Sequence, residues 1–344
     1  MSLQHESATI VDVARRAQVS VGTVSNVLNG TREVSVLRRH RVLVAIEELG
    51  FQRNLVALAL RRQSSSVVGL CVPLTSTSYF AALVDAFEEV ASAQGFAIMH
   101  TLTRHDAAED RRRVKELLRY RVAGLIHIPS MEPLAAQKLV EKQGVPVVTI
   151  DRPSEESPND QIMFANRPAM RQVGDHLLGL GHRRVLFCVE HPHLTITQDR
   201  IAGFDDAIAA AGVDARFTVL KCEPTEPGFR AQMRSHLASD TRPTAMIVSN
   251  SMLAAWALRA LRAQDLRYPD DLSFLCFGEP DWAELVCPRV SVVRQPTREI
   301  AISAWELLMA RINGATDGWK RLSLDGEVIL RESVGPPPAD AGRR

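Results

Sequence analysis

From residue 67 to residue 294 the chain repeats one unit, a short and continuously apolar run followed by a longer helical stretch. The apolar runs are 67–73 (VVGLCVP), 96–101, 123–129 (AGLIHIP), 145–151 (VPVVTID), 185–190, 217–221, 245–249 (AMIVS), 272–277 and 290–294. Helical stretches are expected at 80–94, 106–120, 134–143, 166–180, 200–211, 228–239, 251–263 and 297–313. A strand that is apolar at every position has no face for water, so it belongs in a parallel sheet covered on both sides by helices. So many strands divide naturally into two lobes, with the break near 151–166 and the chain crossing back near 290–325. The expected core at 67–344 is thus α/β, two lobes with parallel sheets.

The residues before this core follow another rule. Thr9 is an N-cap with Asp12 three positions on, and Ile10, Val13, Ala14 and Ala17 mark one helical face. After a three-residue turn, Ser20 caps a second helix in "VSVGTVSNVLNG" (19–30), which closes at Asn29-Gly30. Val24, Val27 and Leu28 form its inward stripe, and Gly22, Ser25, Asn26 and Asn29 face outward. Ser35 opens a third helix with Val42, Ile46 and Leu49 inward and Gly50 as its stop. A turn this tight between the first two helices is helix-turn-helix spacing. The small all-α head is expected at 1–53, with an apolar stretch at 54–60 and the polar "RRQSSS" linker completing a segment 54–66.

Charge separates the same two parts. Residues 1–66 hold nine arginines, no lysine and five acidic residues, a net +4 within a chain of net +1. A basic head on a mildly acidic body points to a polyanion partner for the head. No apolar run nears the roughly 18 residues of a membrane span, and the N-terminus lacks a signal-peptide pattern, so a cytoplasmic protein is expected. Five dispersed cysteines, never spaced CxxC, read as free thiols with neither disulfide nor metal. The tail "GPPPADAGRR" reads as disordered.

A search for catalytic chemistry finds no GxGxxG after the first strand, no GxxxxGK[ST], no GxSxG and no HExxH. His191-Pro-His193 reads as an exposed loop, and Asp205-Asp206 as surface charge on a helix. No catalytic residue and no cofactor is expected. Parallel α/β lobes bind ligands beyond the carboxyl ends of their strands. There the sequence places Tyr79, Phe80, Asp151, Asn250 and Gly278-Glu279, with Arg200 beginning a helix that Thr197 caps. Aromatic faces, an amide, carboxylates and a guanidinium suit a hydroxylated or anionic small molecule.

Several segments together resemble the lactose repressor (LacI/GalR) family of bacterial transcription regulators over essentially the whole chain. "TIVDVARRAQVSVGTVSNVLNG" resembles the family's head, and "VLVAIEELGFQRN" its third helix and hinge entry. "YFAALVDAFEEVA", "LLGLGHRRVLF" and "DRIAGFDDAI" resemble core motifs. The resemblance implies a periplasmic-binding-protein-like core and a homodimer on a near-palindromic double-stranded DNA operator. It implies DNA contacts from Thr9, Ser20, Val21, Gly22, Thr23, Ser25, Asn26 and Asn29, and from Asn54, Ala57 and Leu60 of a hinge helix at 54–60. Leu60 matches the family's minor-groove wedge. Tyr79, Phe80, Asp151, Arg200, Asn250, Glu279 and Gln295 are the implied contacts of a small-molecule effector.

Departures from the family pattern narrow the question. Ser25-Asn26-Val27 lacks the arginine of the usual "VSRVLN", Arg53 replaces a proline, and Leu58 replaces an arginine. Cys276-Phe277-Gly278-Glu279 resembles the "GFGD" variant of gluconate-type members. Glu279 disfavours an anionic effector and Arg200 favours one, which leaves a polyol, a sugar or a sugar acid. The alternatives are a cytoplasmic sugar-binding protein or a sugar-modifying enzyme whose N-terminal helices mediate oligomerisation.

Overall fold

The structure is a computed structural model that describes residues 8–29, 32–51, 65–130, 133–154, 157–239 and 241–339. It falls into two compact units that divide after Ser65. The apolar stretch at 54–60 and the linker through 64 lie outside the described residues.

The first unit is built on helices α1 (Ile10–Ala17), α2 (Val21–Asn29) and α3 (Val36–Leu49). The expected capping box is formed at α1: the Thr9 N–H donates to Asp12 Oδ2 at 2.9 Å, and the Asp12 N–H to Thr9 Oγ1 at 3.4 Å. Gln18 ends α1 in the left-handed region at φ 54° and turns the chain toward α2. The Thr23 N–H then donates to the Ser20 hydroxyl at 3.2 Å. Gly50 closes α3 at φ 58°, a conformation glycine adopts without the Cβ penalty. Val13, Ala14, Ala17, Val24, Val42 and Ala45 form the core of this unit, with Val27, Leu28, Ile46 and Leu49 packed against it.

The second unit carries two six-stranded sheets. One has the order β11-β5-β4-β3-β1-β2, all parallel. Its strands are β1 (Val67–Val72), β2 (Ala97–Leu102), β3 (Gly124–His127), β4 (Val147–Ile150), β5 (Asp160–Phe164) and β11 (Arg321–Leu324). The other has the order β12-β10-β9-β8-β6-β7, parallel except where β12 meets β10. It comprises β6 (Arg184–Val189), β7 (Arg216–Lys221), β8 (Ala245–Val248), β9 (Ser273–Phe277), β10 (Ser291–Arg294) and β12 (Glu327–Ile329). Around the first sheet lie α4 (Ser78–Ala93), α5 (Ala107–Arg119), α6 (Pro133–Gln143) and α11 (Thr297–Ile312). The second has α7 (Asn166–Gly179), α8 (Thr195–Ala211), α9 (Glu226–Leu237) and α10 (Ser251–Arg262). The chain thus passes between the sheets three times, after β5, after β10 and after β11. Fully buried apolar clusters lie on both faces of each sheet, as continuous apolar strands require.

Three strands were not expected. β5 begins with the polar pair Asp160-Gln161, and β11 and β12 are short strands at sheet edges. Asp160 has no exposure, yet it is fully satisfied. Arg311 donates to its two oxygens at 2.8 and 3.0 Å, and the Lys320 N–H donates at 2.8 Å. One carboxylate thereby joins β5, α11 and the entry to β11. The described start of the proline-rich tail, 335–339, departs from expectation, because the Gly335 carbonyl accepts from Ser273 Oγ at 2.9 Å and its N–H donates back at 3.0 Å. Close helix packing has its own signature at Gly203 of α8, where a Cβ would come within 2.2 Å of the Arg167 carbonyl of α7.

Arg311→Met strands a buried carboxylate and is expected to cost about 3–5 kcal/mol in urea unfolding of the full chain. Adding Asp160→Asn is expected to recover much of that loss, and a single-variant cost near that of a surface substitution would contradict this role for the pair.

Candidate functional site

The carboxyl ends of strands from both sheets open onto one cleft in the second unit. Its walls bring together Tyr79, Phe80, Asp151, Arg200, Asn250 and Gln295, six of the seven residues expected there. Arg200 is 5% exposed and held on three sides. Its Nε donates to Asn166 Oδ1 at 2.7 Å, one terminal nitrogen donates to the Ser249 carbonyl at 3.2 Å, and the guanidinium lies 4.0 Å from the Phe277 ring centre. Asn250 caps α10 by accepting from the Leu253 N–H at 2.9 Å, while its amide donates to Glu190 Oε2 at 2.6 Å. The Ser78 N–H donates to Ser251 Oγ at 3.0 Å, so the first turns of α4 and α10 meet directly.

Asp151 sits in the left-handed region at φ 64°, one of the few non-glycine residues to do so. Burial raises its carboxyl above the ordinary range against the opposing influence of Tyr79, Arg152 and Arg200. Burial likewise pulls Arg152 and Arg200 down to about 10, which leaves both charged at neutral pH. Arg152 donates to the Pro129 carbonyl at 2.5 Å and to His105 Nδ1 at 3.1 Å. The accepting nitrogen must be unprotonated, and His105 is correspondingly depressed to about 3 by burial, Arg152 and His191. The His105 and His191 rings lie with centres 4.9 Å apart, tilted 51° to each other.

Four readings from sequence change here. Arg200 does not begin its helix: α8 starts at Thr195, Leu194 holds the N-cap position, and Thr197 lines the cleft instead of capping. The polar "TITQD" hid that first turn. His191 is half-buried and lines the cleft rather than sitting on an exposed loop, although His193 is exposed. Glu279 is not among the cleft residues. It pairs with Arg294 and Arg331, whose hydrogen bonds outweigh burial and hold its carboxyl below the ordinary value. It therefore does not oppose an anion in the cleft. Glu190, His105 and Thr77 also line the cleft and were missed, though each falls within a few residues of a strand's carboxyl end.

In the first unit, α2 presents Val21 and Gly22 exposed, with Thr23, Ser25 and Asn26 half-buried. Thr9 and Ser20 cap their helices, and Asn29 is the last residue of α2. No acidic residue lies in the first turn of α2, which leaves its N-terminus open to phosphate. Asn54, Ala57 and Leu60 lie outside the described residues.

Comparison with known proteins matches both units. Residues 9–54 match the bacterial regulatory proteins of the lacI family, and residues 174–334 match a periplasmic binding protein-like domain. The HTH-type transcriptional regulator GalR of Escherichia coli is 32% identical over 97% of this chain and 98% of its own length. A transcriptional regulator CelR–cellobiose complex is 27% identical with a TM-score of 0.69, covering 95% of this chain and 99% of that one. A lac repressor dimer bound to operator and the anti-inducer ONPF has a TM-score of 0.81, with 96% and 100% covered; at 24% identity it shows the fold alone.

Because His105 titrates lower in the fold than its ordinary 6.5, the stability tied to its neutral form is present above pH 6.5 and is lost as pH falls toward about 3. The melting temperature of wild type relative to His105→Gln is expected to be highest above neutrality and to shrink with acid, and a pH-independent difference would contradict the buried geometry.

Proposed function

The chain belongs to the lacI family of bacterial regulatory proteins, and from that premise we propose how its two units divide the work. Membership makes it a DNA-binding transcriptional regulator rather than an enzyme. The first unit reads an operator with α2 in the major groove, using Val21, Gly22, Ser25 and Asn26 toward the bases and Thr9, Ser20, Thr23 and Asn29 toward phosphates. Asn54, Ala57 and Leu60 add contacts from the hinge segment. The second unit binds a small sugar-like effector, and the chain acts as a homodimer on a near-palindromic site, since a two-fold protein matches a two-fold sequence. Its place of work is the cytoplasm, where the chromosome lies.

The observation that carries the effector reading is the cleft itself, where Arg200, Asn250 and Asp151 converge on one space between two strand-end surfaces. The relatives support it in kind: one solved relative is a cellobiose complex, and another curated relative is a ribose operon repressor. The effector acts through its differential affinity for operator-competent and operator-incompetent states.

Asparagine bonds adenine bidentately through N6 and N7, as arginine bonds guanine through O6 and N7. Asn26 is accordingly the residue that sets an A·T preference at its operator position. Purified protein is expected to retard an inverted-repeat fragment from upstream of its own gene, with affinity falling steeply as salt rises. Asn26→Arg is expected to shift preference at one position per half-site toward G·C by roughly 1–3 kcal/mol. Selection from random sequence reads this directly, and an unchanged base at every position would remove Asn26 from the reading surface.

A further inference from the structure

The first turn of α4 reaches the cleft with donors unspent, although the Ser78 N–H is taken by Ser251 Oγ. Thr77 occupies the N-cap position but makes no capping bond, and its hydroxyl is buried without a partner although the residue is only 4% exposed. The Ser78 hydroxyl is likewise buried and unpartnered. Among the described residues, the N–H groups of Tyr79 and Phe80 find no acceptor. On the same cavity, Arg152 is 6% exposed and its Nε is also buried without a partner. Buried donors left open cost free energy unless something accepts from them.

Electrostatics points the same way. Arg152 and Arg200 balance Asp151 and Glu190 as formal charges around the cleft. The N-termini of α4, α8 and α10 also line it, each worth roughly half a positive charge. The cleft lining is therefore net electropositive, and Glu279 is spent on Arg294 and Arg331. One acceptor is available as well: Asp151 Oδ1 is buried and makes no hydrogen bond of ordinary geometry, with the Tyr79 hydroxyl beside it, and can take a ligand hydroxyl.

We propose that the effector is a hydroxylated anion, a sugar acid or sugar phosphate, whose anionic group sits on the α4 N-terminus with the Thr77 and Ser78 hydroxyls. Arg152 faces its charge, and Asp151 takes one of its hydroxyls. This rests on the effector-binding reading above and narrows its ligand class.

Calorimetric titration of the full chain at constant ionic strength tests it with matched probes: D-gluconate and D-glucose 6-phosphate against D-glucose, D-galacturonate against D-galactose, and inorganic phosphate as the bare anion. At least one acid or phosphate ester is expected to bind ten times or more tighter than its neutral partner, with phosphate competing. The carboxylate and phosphoryl arms identify which anion is taken. Thr77→Val deletes only a hydroxyl with no partner in the fold and is expected to weaken that anion about tenfold, as is Arg152→Gln. Binding of a neutral sugar as tight as its acid, anion binding unaltered in both variants, or no binding by any anion would each overturn the proposal. In the first case, loss of the neutral sugar's binding in Asn250→Ala would leave the effector-binding reading standing.

Discussion

Everything in the second unit depends on the burial of its parallel strands. A sheet that is apolar on both faces must be sheathed by helices, which leaves only the ends of its strands free to meet a ligand. Because the chain passes between the two sheets three times, the carboxyl ends of both are held toward the same space. The cleft is thus a consequence of topology, and the residues lining it are those that follow strands. Helices that begin there bring their N-termini with them, so the same constraint that makes the cleft also gives it a positive field.

That field explains the character of the polar groups inside. Arg200 stays charged while almost fully buried because Asn166, the Ser249 carbonyl and the Phe277 ring replace its water. His105 stays neutral because burial disfavours its charged form and Arg152 donates to its Nδ1. Of eight buried side-chain polar atoms with no partner among the described residues, five, on Thr77, Ser78, Tyr79, Asp151 and Arg152, belong to residues of this cleft; the others are on His127, Asn159 and Trp305. Folds pair most of their buried polar atoms, as Asp160 shows, so a concentration of open ones in one cleft marks a place where a ligand completes the structure.

Much of this architecture is readable from residue pattern, and the failures have physical reasons. Continuous apolar runs such as VVGLCV and the Thr9–Asp12 capping box are local signals, and the structure forms both where they stand. β5 escaped because Asp160 and Gln161 look like a loop until Arg311, 151 residues away, is brought to them. The start of α8 escaped because its first turn is polar on the side that faces the cleft. Glu279 was assigned to the cleft by its neighbours in sequence, whereas its partner Arg331 comes from 52 residues downstream. His191 was read by the exposure typical of histidines flanking a proline, and only the fold brings His105 against it. Each error concerns a polar residue whose environment is set by distant chain.

In the proposed function the cleft and the DNA-reading head are thermodynamically coupled, and coupling is reciprocal. The most direct test is to titrate the cleft ligand into full-length protein with and without saturating operator DNA, and to titrate operator with and without saturating ligand. The ligand is expected to change operator affinity, and the operator to change ligand affinity, by the same factor, roughly 5–150-fold in either direction. Equal ligand affinity with and without operator would contradict it.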